Sequence, residues 1–151
     1  MRVAVGADHA GFAMKAVVVD ELKKLGHEVN DVGVHDAARA DFPDYATPVG
    51  RAIQAGEADR GVLLCGSGVG MCIAANKMRG VRACVTHDTY SAHQGVEHDG
   101  MNVLCIGAKV VGENVVRELV QAFIGAEFQR EDRFIRRMQK VDALEAEMPA
   151  R

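Results

Sequence analysis

Short β-prone runs alternate with helix-period segments along the whole 151-residue chain, and this alternation limits its architecture more than any other feature. The runs at 2–6 (RVAVG), 28–32 (EVNDV), 61–65 (GVLLC), 81–85 (VRACV) and 102–106 (NVLCI) read as strands. Helices are predicted near 11–25, 44–57, 69–78, 89–97 and 112–125, with a last one near 130–147. Gly26 closes the first helix just past Leu25. Pro48 is placed close to the start of the second, where a missing N–H costs least. Strands joined through helices run parallel, and a parallel sheet needs helices on both faces. Most of the strands are near-continuous apolar runs, as burial on both sides requires. The expectation is a single α/β domain over 1–151 with no internal repeat or linker. Its predicted form is a three-layer, Rossmann-like (flavodoxin-like), doubly wound five-stranded parallel sheet in the order 2-1-3-4-5, plus a C-terminal helix.

Within that frame, residues 61–80 (GVLLCGSGVGMCIAANKMRG) carry the chemistry. A strand ends on Cys65, a loop follows with Gly66, Gly68 and Gly70, and a helix begins. Bare amides and the positive end of a helix favour an anion there. Cys65 and Ser67 bring a thiol and a hydroxyl to the mouth of the pocket. An electropositive helix end favours the thiolate form of a cysteine. This combination points to chemistry on a small phosphorylated or carboxylated substrate.

Ligands of open parallel sheets bind beyond the carboxyl ends of the strands, where the strand order reverses. Asp8 and His9 follow the first strand, and Cys65, Gly66 and Ser67 the third. His87 and Asp88 follow the fourth strand and Lys109 the fifth. Taken singly, each has a plainer reading, such as a satisfied loop histidine for His9; it is their gathering on one rim that suggests a site. A dinucleotide fingerprint fits poorly, because Met71 stands where the third glycine belongs and the loop follows strand 3 rather than strand 1. Asp88 lies at a spacing suited to a ribose contact, so that reading stays open. No Lys-Ser/Thr pair follows the glycines, which excludes a P-loop.

The last helix differs in character. Phe134, Met138, Val141 and Met148 form an apolar seam, and Arg133, Arg136, Arg137 and Lys140 load its first half. The seam is expected either to dock on a neighbouring subunit or to lie on its own domain. Arg133 and Arg137, four apart, share a helix face. They can clamp a phosphate between two guanidinium forks or form a solvated stripe.

Composition narrows the partners. A net charge of −3 and 5% aromatic residues argue against nucleic acid. With 48% hydrophobic and 26% charged residues the chain reads as soluble, without a membrane segment or signal peptide. Cys65, Cys72, Cys84 and Cys105 contain no C-x-x-C pair, and three of them fall in or at the ends of strands. Reduced thiols in a cytoplasmic protein are expected, rather than disulfides or a zinc site.

The blocks VGADHAGF (5–12), DFPDYA (41–46), CGSGVGMCIAANK (65–77), THDTYSA (86–92) and NVLCIGAKVVG (102–112), with the paired arginines, resemble the type B ribose-5-phosphate isomerases. That family also includes galactose-6-phosphate isomerase subunits and related sugar-phosphate isomerases. The resemblance implies that Cys65 moves a proton between C1 and C2 of the open-chain sugar. Ser67 and the amides of 66–70 would hold the enediolate oxygen, and His98 would open the furanose ring. Asp8 would serve the sugar hydroxyls, Tyr45 would line the pocket, and His9, Arg133 and Arg137 would take the phosphate. Met71 occupies the place of a glutamate base in another branch, which makes this the cysteine type. It further implies a homodimer or tetramer with sites shared between subunits, and neither redox cofactor nor metal.

Three residues depart from the pattern. Asp99 replaces a common asparagine, Val96 a common arginine, and Lys109 an arginine. The last change trades a fork for a point charge. These residues bear on sugar choice, so erythrose 4-phosphate, allose 6-phosphate and galactose 6-phosphate stand beside ribose 5-phosphate as candidate substrates. A non-catalytic sugar-phosphate or nucleotide-binding module is the competing class.

Overall fold

The computed structural model describes residues 1–147. Five strands, β1 (Arg2–Ala7), β2 (Glu28–Asp31), β3 (Arg60–Cys65), β4 (Ala83–Val85) and β5 (Val103–Gly107), form an all-parallel sheet. The helices are α1 (Phe12–Lys24), α2 (Pro43–Gln54), α3 (Val69–Ala75), α4 (Thr89–Asp99), α5 (Glu113–Gly125) and α6 (Asp132–Glu147). The predicted α/β class, with a doubly wound five-stranded sheet and a terminal helix, is the one observed.

The strand order is β2-β1-β3-β5-β4, which corrects the expected 2-1-3-4-5. Burial supplies the reason. All five residues of β5 are buried, whereas β4 has only three residues and an exposed Cys84 at its centre. A strand covered on both faces belongs inside a sheet, and a short half-polar one belongs at its edge. The reversal of order between β1 and β3 survives the swap, so the crevice lies where it is expected.

Alternation along β3 builds two cores. Val62 and Leu64 join Val5, Leu104, Ile106 and Phe123 under α1, α4 and α5, while Leu63 and Cys65 join Val103, Cys105 and Met71 under α2 and α3. Full burial of a leucine or valine contributes roughly 1.5–3 kcal/mol, so the central strands anchor the rims. Gly61 and Gly6 let α2 settle on the sheet, since a Cβ at either would crowd Val49. Pro43 rather than Pro48 opens α2; Pro48 lies inside the helix and removes one ladder N–H.

Both halves of α6 touch their own chain. Phe134 is buried against α4, and two polar latches follow. The backbone N–H of Gly80 donates to both carboxylate oxygens of Glu145 (2.8 and 3.0 Å), and Arg82 faces Asp142 at 3.9 Å. Met138, Val141 and Leu144 border a cleft of about 650 Å³ with Val81 and Met101. Val141 and Leu144 keep exposed surface. Met148 lies outside the described residues.

Candidate active site

Cys65 ends β3 almost wholly buried, and the Gly68 N–H donates to its Sγ at 3.1 Å. Gly68 has φ +81° and forms the N-cap of α3. That left-handed conformation suits glycine, and it turns the amide back onto the sulfur. Ser67 is exposed and its Oγ accepts from the Val69 N–H at 3.3 Å. Gly66 lies against Ala10 and the Lys109 stem, and Gly70 against the Phe42 ring. Loop and β5 touch so closely that a Cβ on Gly107 would meet the Ser67 backbone at 2.8 Å.

Across the crevice, Asp8 is buried at the end of β1. Its Oδ1 accepts from the amides of Ala10 and Gly11 at 2.9 and 3.0 Å, shaping the turn into α1. His9 is exposed, with Nδ1 3.2 Å from both N and O of Ala40, which leaves Nε2 facing outward from that contact. Tyr45 on α2 fills the space that a Cβ on Gly33 would take. Lys109 donates its backbone N–H to Gly66 O at 3.1 Å. His87 Nε2 accepts from the Gly107 N–H at 2.9 Å. Asp88 caps α4 by accepting from the Ser91 N–H at 2.7 Å, and that bond holds its carboxyl below the usual range. This capping bond engages the carboxylate that the ribose reading required. The rim predicted at the carboxyl ends is therefore real, and Asp8, His9, Cys65, Gly66, Ser67, Gly68, Gly70, His87 and Lys109 share it.

His98, Asp99, Arg133 and Arg137 lie elsewhere. His98 and Asp99 end α4, which leads into the amino end of β5. Cys65 pairs with Gly107 at the other end of that strand, while Gly61 pairs with Val103. Four residues of parallel strand, about 13 Å, separate the two ends. At the amino end His98 stacks on Phe134, with ring centroids 4.2 Å apart and planes 13° from parallel. The guanidinium carbons of Arg133 and Arg137 stand 4.4 and 5.8 Å from the same Phe134 ring. Phe134 thus carries His98 and both arginines on its ring; all three arginines are exposed, and no contact of Arg136 with that ring is among those described.

Two further residues shape the site without a signal in the sequence pattern. Lys15 is buried and donates its Nζ to Asp31 Oδ1 at 2.7 Å, to Val34 O at 2.7 Å and to Gly33 O, pinning the corner behind Tyr45. Gln94 Nε2 meets His98 Nδ1 at 2.9 Å, one helical turn away. Among the described residues, no three His, Cys, Asp or Glu side chains converge as a metal site, and no helix is long and apolar enough to cross a membrane.

The family model described as Ribose/Galactose Isomerase matches residues 3–141. The chain belongs to that family. It is 41% identical to ribose-5-phosphate isomerase B of Escherichia coli (strain K12), over 96% of this chain and 95% of the relative. It is also 38% identical to D-erythrulose-4-phosphate isomerase of Pectobacterium atrosepticum, over 85% of this chain and 86% of that one. The solved type B ribose 5-phosphate isomerase from Trypanosoma cruzi superimposes with a TM-score of 0.95 at 39% identity, covering 98% of this chain and 100% of the other. Family membership therefore rests on sequence and fold across the two rims, including the stretch that carries Arg133 and Arg137.

Proposed function

We propose that this protein is an aldose–ketose isomerase of sugar phosphates, interconverting ribose 5-phosphate and ribulose 5-phosphate through an enediolate with Cys65 as the base. The observation that carries the reading is the Cys65 sulfur held under the Gly68 amide at the crevice between β1 and β3. The thiolate takes the proton from C2 of the open-chain aldose, and the C1 oxygen gathers negative charge. Ser67 and the 66–70 amides face that charge. The thiol, free to exchange its proton with solvent, then protonates C1 while the O2 hydroxyl proton passes to O1, which leaves the ketose and the thiolate. General-base transfer of this kind contributes a hundred- to ten-thousandfold, and fixed donors at the oxyanion add further stabilisation.

His98 protonates the furanose ring oxygen, and His9, Arg133 and Arg137 hold the phosphate, so that C1 and C2 stay against the sulfur. Asp8 and Tyr45 position the hydroxyls, with Asp99 and Lys109 at the sugar rim. Within one chain, however, the base and the His98–arginine cluster lie at opposite ends of the sheet. We therefore assign the working unit as a cytoplasmic homodimer, or a tetramer built from two such dimers, of one-domain chains. The carboxyl-end rim of one subunit meets the amino-end cluster of its partner.

Solvent exchange tests the reaction. With ribose 5-phosphate in D2O the enzyme incorporates deuterium at C1 or C2 as ketose forms; binding without exchange or turnover rejects the isomerase in favour of a binding module. The relatives' names span three sugar sizes, erythrulose, ribose and galactose phosphates. Comparing kcat/KM over four- to six-carbon aldose phosphates then ranks the substrates.

A further inference from the structure

His87 stands on the carboxyl-end rim without a part in the reaction proposed above. It joins β4 to α4 on a backbone held at both sides. The Thr86 N–H donates to Cys105 O at 3.3 Å, and the Asp88 carboxylate accepts from the Ser91 N–H at 2.7 Å. On this short tether the half-buried imidazole points Nε2 at Gly107, whose N–H donates to it at 2.9 Å. A backbone amide only donates, so Nε2 is the bare nitrogen and the neutral ring carries its proton on Nδ1.

Gly107 links this histidine to the thiol loop. It ends β5 as a buried residue, in register with Cys65. The two amides after it knit the same joint: Ala108 donates to Cys65 O at 2.8 Å and Lys109 to Gly66 O at 3.1 Å. The packing leaves no slack. A Cβ on Gly107 would meet the Ser67 backbone at 2.8 Å, and one on Gly68 would stand 3.2 Å from Gly107 N. Gly68 is the residue whose amide holds the Cys65 sulfur. β4 ends at Val85, opposite Cys105, so the Gly107 N–H lies beyond the ladder and a side chain has to supply its acceptor. A buried amide left unpaired is costly enough to displace the backbone that carries it.

We propose that His87 is the positioning residue of the Cys65 loop: its bare Nε2 fixes Gly107, and through Gly107 the Ser67 backbone and the Gly68 amide. The effect on catalysis rests on the proposed role of Cys65; the hold on the loop does not. His87 acts through the backbone and takes no proton from the sugar. Its removal therefore lowers kcat and spares KM, because the phosphate is assigned to His9, Arg133 and Arg137, none of which bonds to Gly107 or His87 among the described residues. Imidazole is replaceable here only by a side chain that accepts at the same reach, which glutamine does through Oε1 and leucine does not.

The deciding experiment compares His87→Leu and His87→Gln in the full chain, by kinetics with ribose 5-phosphate and by amide and imidazole NMR without substrate. In His87→Leu kcat is expected to fall at least roughly tenfold, the scale of one bond lost to a buried amide, with KM nearly unchanged. His87→Gln should recover most of that loss. The Gly107 and Gly68 amide resonances should shift together in His87→Leu and return in His87→Gln. At mildly alkaline pH, where the ring is neutral, wild-type His87 should carry its proton on Nδ1. If His87→Leu fails to fold, His87→Asn, polar but too short to reach Gly107, takes its place. Wild-type kcat in the variant that lacks the acceptor, no recovery in His87→Gln, a proton on Nε2 of the neutral wild-type ring, or a Gly68 resonance that does not follow Gly107 each overturns the proposal. Should the wild type turn over no sugar phosphate, the isomerase reading fails alone, and the resonances still decide whether His87 holds the loop.

Discussion

The two ends of the sheet are built by different physics. At the carboxyl end, Cys65, Gly68, Asp8 and Gly11 are held by backbone hydrogen bonds of 3.1 Å or less, within a few residues of buried strands. At the amino end, His98, Phe134, Arg133 and Arg137 meet through ring faces on two helices that come together far from one another in sequence. Backbone donors in a loop give a charge-stabilising pocket with little freedom. Aromatic stacking and long guanidinium side chains give a surface that adapts to a phosphate. The first suits bond-making at carbon, the second binding, and in one chain they are about 13 Å of strand apart. The shared site proposed above would bring the two ends together from two chains.

The largest effect should break the carboxyl end. Cys65→Ala is expected to lower kcat by at least a hundredfold on every substrate, with circular dichroism and phosphate binding unchanged. Activity within about tenfold of wild type, roughly 1.4 kcal/mol of barrier, would remove Cys65 from the base role. Cys65→Ser should fail almost as badly, since a hydroxyl is a far weaker base at neutral pH.

The same variant sharpens the comparison when mixed with one broken at the other end. Cys65→Ala and His98→Asn homodimers should each be nearly inactive on ribose 5-phosphate. Random reassortment makes half the dimers mixed, each with one intact site, so roughly a quarter of wild-type activity should return for a two-fold symmetric shared site. No recovery after verified subunit exchange would place both ends of one site in a single chain.

Much of this is legible in the sequence, and the rest is hidden for identifiable reasons. Strand positions follow from apolar runs and the glycine loop from its residue types, so the carboxyl-end rim can be read from the chain alone. The neighbour of β3 cannot. Choosing β5 over β4 depends on Cys84 being exposed and Arg82 turning toward Gly100 O (2.7 Å), which the run VRACV does not reveal. Spacing puts Arg133 and Arg137 on one face, but bringing the Phe134 ring they contact against His98 requires α6 to fold back onto α4. Lys15 looks like an ordinary helix lysine because its three partners lie 16–19 residues away. Asp8 and Asp88 read as site carboxylates, and both prove to shape helix starts, Asp88 wholly so in the bonds it makes.

Ring opening separates from isomerisation at the amino end. His98→Asn should cost most of the activity on furanose-forming sugars, in the hundred- to ten-thousandfold range of acid–base catalysis, and much less on erythrose 4-phosphate, which is too short to close the same ring. Equal losses on both substrates would make His98 a packing residue for Phe134 instead.

The smallest effects concern the arginines, where geometry makes a graded forecast. Arg137→Ala removes a charge-assisted contact worth about 1.5–3 kcal/mol, so KM should rise roughly ten- to a hundredfold. Some loss of kcat should follow, because binding at the remote phosphate helps hold C1 and C2 against the sulfur. Arg133→Ala should behave similarly with a milder rise, since its Nε already engages Glu131 at 2.8 Å. Arg136 follows Arg133 by three residues and is exposed as both other arginines are, but it makes no contact with the Phe134 ring among those described. Its removal should change KM by less than about twofold, the scale of a surface substitution. Steady-state KM for the three single variants, at low and high salt, orders them. An Arg136 effect larger than that of Arg137 would mean that the partner subunit meets the opposite face of α6. Three silent variants would leave the stripe merely solvated, and the phosphate would then have to be held by the carboxyl-end rim alone.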